Sequence, residues 1–327
     1  MTITIILFVL GFILLIKGAD ILIDGSSSIA KKFGLSAFFI GLTVVAFGTS
    51  APELVVSVTA NFSGSSGIAL GNIIGSNIAN TLLILGIAAI IAPLVIKRRT
   101  VHKEIPYSLL AILAVGILSN DFLIDHISPD GLNRIDGLML LLFFSIFIFY
   151  TFGISKEEEN IFQKTVGEIK NQDQEEYSML LSVGMILLGL LGLVLGGKWI
   201  VNGAIQIAEY FELSQALIGL TIVAIGTSLP ELAASGMAAY RGRTDMAVGN
   251  VVGSNIFNFL LVLGVSSTIS PIRYNTTLNI DILILLVITI MLLPLVYIGR
   301  KNIIGRWEGI VLVSLFVCYF IFIFFRG

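Results

Sequence analysis

Stretches of apolar residues long enough to cross a bilayer follow one another along almost the whole sequence, separated by short polar connections. A membrane-spanning helix needs about 20 such residues, and that length recurs from one end of the chain to the other. Ten spans are predicted, near 2–30, 36–61, 67–92, 104–118, 134–153, 177–210, 214–240, 245–270, 278–298 and 306–325. None has the residue-by-residue alternation of a lipid-facing barrel strand. The expected fold class is an all-α integral membrane protein with ten transmembrane helices. The first span lacks a basic start and a small-residue cleavage site, so it reads as a retained helix and not a signal peptide.

Charge patterning fits this division. The 327 residues are 56% hydrophobic and 12% charged, the latter about half the share in a soluble domain. A net charge of -2 leaves no basic stripe for nucleic acid. One cysteine, Cys318, and two histidines, His102 and His126, exclude a disulfide framework and a zinc cluster of the usual ligands. Lysines and arginines concentrate in alternate connections, which predicts a multi-pass cell-membrane protein with both termini outside. Outer connections then hold only Arg134, Arg273 and Arg326. The one long connection, 155–176, has seven acidic and three basic residues and reads as a solvated inner linker.

Sliding the sequence along itself by 178 residues lays 35–93 over 213–271 without a gap, with about half of the positions identical. Gly48-Thr49-Ser50 matches Gly226-Thr227-Ser228, and Pro52-Glu53-Leu54 matches Pro230-Glu231-Leu232. Gly71-Asn72 and Gly75-Ser76-Asn77-Ile78 match Gly249-Asn250 and Gly253-Ser254-Asn255-Ile256. More loosely, Arg134-Ile135-Asp136-Gly137 recurs as Arg306-Trp307-Glu308-Gly309. The halves 1–154 and 177–327 are each expected to hold five spans, an odd number that reverses the second half in the membrane. Such inverted repeats characterise secondary transporters, which hold substrate near the midplane at the repeat interface.

The repeat carries its chemistry in mid-span. Glu53 and Glu231 lie deep in the second and seventh spans, where a charged residue costs about 2.5–3.5 kcal/mol. No lysine or arginine lies at matching depth in the repeat cores; Lys17, elsewhere, can pair with Asp20 three residues on. Pro52 and Pro230 precede the acids and should open both helices, freeing main-chain oxygens beside the hydroxyls of Thr49, Ser50, Thr227 and Ser228. The third and eighth spans add Asn72, Ser76 and Asn80, and Asn250, Ser254 and Asn258, at spacing four, with small-residue faces at Gly71, Gly75, Gly249 and Gly253 for close packing. Two carboxylates among neutral oxygens suit the roughly six to eight hard ligands of Ca2+, whereas Mg2+ gives up its water reluctantly. Either acid alone could be protonated and structural; their repetition after prolines favours a site. Asp245 begins the eighth span, where a helix-start role is favoured over ion relay. The sequons at Asn61 and Asn275 fall in predicted outer connections.

These motifs resemble those of the cation/Ca2+ exchanger superfamily, whose two repeats contain G-T-S-x-P-E on one helix and G-N-x-x-G-S-N on the next. The resemblance spans both halves and is similar in layout to prokaryotic Na+/Ca2+ exchangers. It implies that Glu53 and Glu231, with backbone oxygens at Thr49 and Thr227, would hold Ca2+. Na+ sites would draw on Ala46, Ser50, Ser76, Ala224, Ser228 and Ser254, with Asn80 and Asn258 at the centre. Some relatives have aspartate where this chain has Asn258; with only two central acids, K+ co-transport is not expected. The implied activity is Na+/Ca2+ antiport by alternating access, with no cofactor, no enzymatic chemistry, and no protein partner evident besides the bilayer. A Ca2+/H+ antiporter of the same fold and a passive cation channel are the alternatives.

Overall fold

The computed structural model describes residues 2–64, 66–121, 130–165, 177–210, 224–297 and 302–326. These residues are helical apart from turns, connections and four two-residue strands. Eight helices among them are long and apolar enough to cross a membrane. A ninth span results when Ala37–Thr49 and Ala51–Phe62, bent by 41°, are taken together. The remaining predicted span is described from Ala224 onward, as Ala224–Gly226 and Leu229–Tyr240, and its earlier part lies outside the described residues. Thr2–Lys32, Met179–Tyr210 and Arg306–Arg326 end within a few residues of the positions read from the sequence. The helix expected to stop at 153 instead runs Arg134–Thr165, into the charged connection. Elongating an existing helix needs no new nucleus, so a polar segment can follow an apolar one in the same helix.

Side-chain exposure separates a lipid-facing shell from a centre. Phe149 and Leu180 are more than four-fifths exposed, as apolar residues facing acyl chains should be. The spans Thr244–Ile269 and Ala69–Ile91 are the most enclosed, and the polar blocks of the repeat sit on them. Both contain a turn of wider winding, at Asn80–Ile84 and Phe257–Val262. In the first, the Leu85 N–H reaches back to the carbonyl of Asn80. Such π-type turns displace side chains from regular helical register and recur at functional sites.

Thr2–Lys32 packs antiparallel along Met179–Tyr210 through glycines spaced by seven residues. Gly11 meets Gly196, Gly18 meets Gly189 and Gly25 meets Ser182. A β carbon at Gly18 would lie 2.8 Å from the Gly189 carbonyl oxygen, and one at Gly189 would lie 2.7 Å from that of Gly18. In lipid, where apolar burial offers no driving force between helices, this close backbone contact supplies the association. Ser182 Oγ donates to Ser28 Oγ at 2.8 Å along the same seam.

The helix connections are tied crosswise. Strand β1 (Leu94–Val95) pairs antiparallel with β4 (Ile303–Ile304), and β2 (Gly131–Leu132) pairs antiparallel with β3 (Ile272–Arg273). The Asn133 N–H donates to Asp136 at 2.7 Å and the Gly305 N–H to Glu308 at 3.0 Å, so the recurrent Arg-x-acid-Gly motif starts a helix in both places by reaching back to a free N–H. The turn between Leu229–Tyr240 and Thr244–Ile256, with Gly242 at φ 71°, carries Arg241 and Arg243. Arg241 pairs with Asp20, which therefore has a partner other than the expected Lys17, and Arg243 lies 3.1 Å from Asp24.

The glycine seam makes a specific prediction. Gly18→Ala should destabilise the detergent-solubilised protein by about 1–3 kcal/mol through overpacking. Gly184→Ala, on the same helix as Gly189 but with nothing within 4 Å of the added carbon, should leave the melting temperature level or slightly raised. Equal melting of both variants would show that the backbone contact is not what holds the pair.

Candidate functional site

Both repeated motifs interrupt their helix at the serine. Ser50 has φ -81° and ψ 2°, Ser228 has φ -88° and ψ 6°, and a new helix begins at the next residue in each case. Pro52 and Pro230 stand in the first turn of these helices, where a missing N–H costs nothing, and they offer no N–H to the carbonyls four residues earlier. The interruption places Glu53 and Glu231 in the first turn as well, at the positive end of the helix dipole.

Neither acid faces lipid. Glu53 is fully buried and Glu231 is 1% exposed. Ser50 Oγ donates to Glu231 Oε1 at 3.2 Å, joining one break to the acid of the other. Glu231 Oε2 and both carboxylate oxygens of Glu53 are buried without a hydrogen-bond partner. Among the described residues no lysine or arginine is paired with either acid. A helix N-terminus contributes at most about 2 kcal/mol to a nearby anion, whereas desolvating an ion costs several. The dipoles alone therefore do not balance two such carboxylates, and a bound cation or a proton must.

Other polar atoms of the repeated motifs are also left without partners. Ser76 Oγ, Ser228 Oγ, Ser254 Oγ, Asn258 Oδ1 and both amide atoms of Asn80 are buried and unpartnered. Native interiors leave few such atoms, and their concentration on the repeated motifs fits a hard cation bound by oxygen. Among the described residues no cluster of three or more His, Cys, Asp or Glu could hold a metal. A cation here would accordingly be held by two acids and neutral oxygens. Ala46 is buried and can offer only its main chain; Ala224 opens the short helix Ala224–Gly226, and its side chain lies outside those described.

The threonines are held crosswise. Thr49 Oγ1 donates to Asn250 Oδ1 at 3.3 Å, and Asn250 Nδ2 donates to Ser235 Oγ at 2.9 Å. Thr227 Oγ1 donates to Asn72 Oδ1 at 3.2 Å, and Asn72 Nδ2 donates to Ser57 Oγ at 3.3 Å. The 178-residue offset exchanges one chain of contacts for the other. Ser57 and Ser235 were not singled out in the sequence, although their identity at matching repeat positions was the available signal.

Several other sequence readings find their places. Gly249 and Gly253 lie against the main chain of Phe38 and Leu42, where a β carbon would collide, while Gly71 and Gly75 have nothing that close among the described residues. Asp245 starts its helix and pairs with Lys97 at 2.8 Å. Asn61 is buried and donates to the carbonyls of Ser266 and Ser270, which removes it from the surface where a glycosylated sequon belongs. Cys318 is exposed on the last helix, and His126 lies outside the described residues.

The chain is similar to known proteins over nearly all of its length. The sequence profile of the family described as sodium/calcium exchanger protein matches residues 3–153 and 181–325. The sodium/calcium exchanger MaX1 of Methanosarcina acetivorans is 32% identical over 99% of both chains. An uncharacterized membrane protein of Methanocaldococcus jannaschii, MJ0091, is 36% identical over 95% of this chain and 94% of its own. A solved structure of the sodium-calcium exchanger NCX_Mj superposes with a TM-score of 0.79 at 34% identity, covering 96% of this chain and 97% of that one.

If the unpartnered oxygens bind a divalent cation, Ca2+ should raise the melting temperature of the purified protein, by about 2.7 kcal/mol of stability at a hundredfold excess over Kd. Glu53→Gln and Glu231→Gln should each remove that rise. A Ca2+-dependent rise of wild-type size in both variants would place the cation elsewhere.

Proposed function

The chain belongs to the sodium/calcium exchanger family, and on that premise we propose that it exchanges Na+ for Ca2+ across the membrane by alternating access at the Glu53–Glu231 site. The observation that carries the reading is that both carboxylates are buried, one break being joined to the acid of the other through Ser50, with no lysine or arginine paired to either acid among the described residues. Ca2+ takes both acids, with backbone oxygens at Thr49 and Thr227. Na+ takes positions drawing on Ser50, Ser76, Ser228, Ser254 and the main chain of Ala46 and Ala224, with Asn80 and Asn258 at the centre. Because the same oxygens serve either ion, occupation by one excludes the other, and competition couples their movements. Without ions, two unpaired negative charges would have to cross a low-dielectric barrier, which opposes a change of access and suppresses leak.

The proposed architecture is ten spans in two inverted five-helix repeats, 1–154 and 177–327, with repeat cores 35–93 and 213–271, joined by the inner linker 155–176, and with both termini outside. Its support is the 178-residue sequence match and the crosswise contacts of Thr49 with Asn250 and Thr227 with Asn72. The pairing of β1 with β4 and β2 with β3 has the same exchange. K+ takes no part in the proposed cycle, because the position filled by aspartate in some relatives is the neutral Asn258.

Radioactive Ca2+ uptake into proteoliposomes under imposed Na+, H+ or K+ gradients, one at a time, tests the reading. Uptake should follow an outward Na+ gradient, be indifferent to K+, and fall at least about a hundredfold in Glu53→Gln or Glu231→Gln, the loss of one buried charge partner being worth roughly 3 kcal/mol or more. Uptake driven by a pH gradient without Na+ would identify a Ca2+/H+ antiporter instead. Flux that persists with no counter-ion would identify a channel.

A further inference from the structure

Asn80 and Asn258 occupy matching positions in the two repeats but are not held alike. Asn258 Nδ2 donates to Asn77 Oδ1 at 3.0 Å, while Asn258 Oδ1 is buried with no partner. Asn77, itself fully buried, donates its Nδ2 to the main-chain oxygen of Asn255 at 3.3 Å. A main-chain carbonyl can only accept, so the polarity of this chain is set from that end. Asn77 turns its NH2 to Asn255 and its oxygen to Asn258, and Asn258 must turn its NH2 to Asn77. The amide oxygen of Asn258 is the atom left over.

Asn80 has no such holder. The residue matching Asn77 in the other repeat is Asn255, and its Nδ2 goes instead to Thr81 Oγ1 at 2.9 Å. Thr81 donates on to the main-chain oxygen of Asn77 at 2.8 Å. The position matching Thr81 is Phe259, so this contact has no counterpart.

Next to a cation an amide has two opposite faces, since its oxygen attracts the ion and its NH2 repels it. A carboxylate presents oxygen whichever way it turns. An asparagine among cation ligands therefore needs something that holds it oxygen-first. We propose that Asn77 is a positioning residue that fixes the Asn258 amide with its oxygen toward the transported ions, and so sets their affinity without touching them. The proposal rests on the assignment of Asn258 to the ion site given above. Without Asn77, the NH2 of Asn258 becomes a buried donor in search of an acceptor, and the unpartnered oxygens of the site compete for it with the cation.

The test is a double-mutant cycle of Asn77→Ala and Asn258→Asp in proteoliposomes, reading half-saturating Ca2+ and maximal rate separately, with Glu53→Gln as control. The Ca2+-dependent thermal shift gives the same comparison without turnover. Asn77→Ala should raise half-saturating Ca2+ about tenfold, the equivalent of one buried hydrogen bond, with a smaller change in maximal rate. In the Asn258→Asp background the same substitution should change it less than about twofold, because a carboxylate needs no orientation. An equal effect in both backgrounds would make Asn77 a packing residue and overturn the proposal, as would no effect in either. If Asn77→Ala does not purify folded, Asn77→Ser, too short to reach Asn258, takes its place in the cycle. Normal transport by Glu53→Gln would reject the site itself; loss of transport there with an unaltered Asn77→Ala would reject only the positioning role.

Discussion

Two buried carboxylates, Glu53 and Glu231, with no lysine or arginine paired to either among the described residues, are the constraint around which the rest is arranged. Each is costly to desolvate and each raises the cost of the other, so the pair is tolerable only where something outside the chain completes it. The surroundings are consistent with that incompleteness. Serine and asparagine atoms of the same repeated motifs make no internal hydrogen bond, although a stable interior would normally satisfy them. The helices are broken where the acids stand, which aims their positive ends at the carboxylates and withholds a main-chain donor at each proline. A chain selected for stability alone would have paired or removed these groups.

A compact site also requires helices to approach more closely than ordinary side chains allow. Gly249 and Gly253 bring Thr244–Ile256 against the backbone of the 37–45 segment, so that Thr49 can reach Asn250. Outside this centre, the Gly18–Gly189 seam binds two long helices through their main chains, leaving apolar faces such as that of Leu180 to the lipid. Backbone contact is used where position must be held, and bulky apolar side chains where only the solvent must be matched.

Much of this was legible in the sequence because bilayers impose few solutions. Span lengths follow from thickness, and an acid in mid-span is rare enough to name itself; Glu53 and Glu231 could be picked out by depth alone. The prolines foretold the breaks, since a missing N–H acts locally. Less legible were features that depend on neighbours in space. The wide turns at Asn80 and Phe257 have no local signature in Asn-Thr-Leu or Phe-Asn-Phe. The partner of Asp20 proved to be Arg241, more than two hundred residues away, and not the lysine three residues before it. The heptad spacing of Gly11, Gly18 and Gly25 was present in the sequence, but its meaning depends on the matching series in the second half. The helix as far as Thr165 has no apolar signal beyond 153, since an established helix extends into polar sequence without a fresh nucleus.

In the architecture proposed here, two identical inverted halves would make the two access states mirror each other and equal in energy. Every difference between the halves lifts that degeneracy. Arg241 with Asp20 and Arg243 with Asp24 tie the turn after Leu229–Tyr240 to the first helix. The positions that the 178-residue offset assigns to Arg241, Asp20 and Asp24 hold Ser63, Lys198 and Asn202, which cannot form those pairs. This ionic tie therefore has no counterpart at the matching positions of the other half. Partly exposed pairs of this kind are worth about 1 kcal/mol or less each, so a pair present in one access state and broken in the other would alter populations several-fold without locking them. That scale suits a carrier: a tie worth much more than the binding energy of an ion would hold one state permanently, and a tie worth nothing would leave the direction of the empty site to chance.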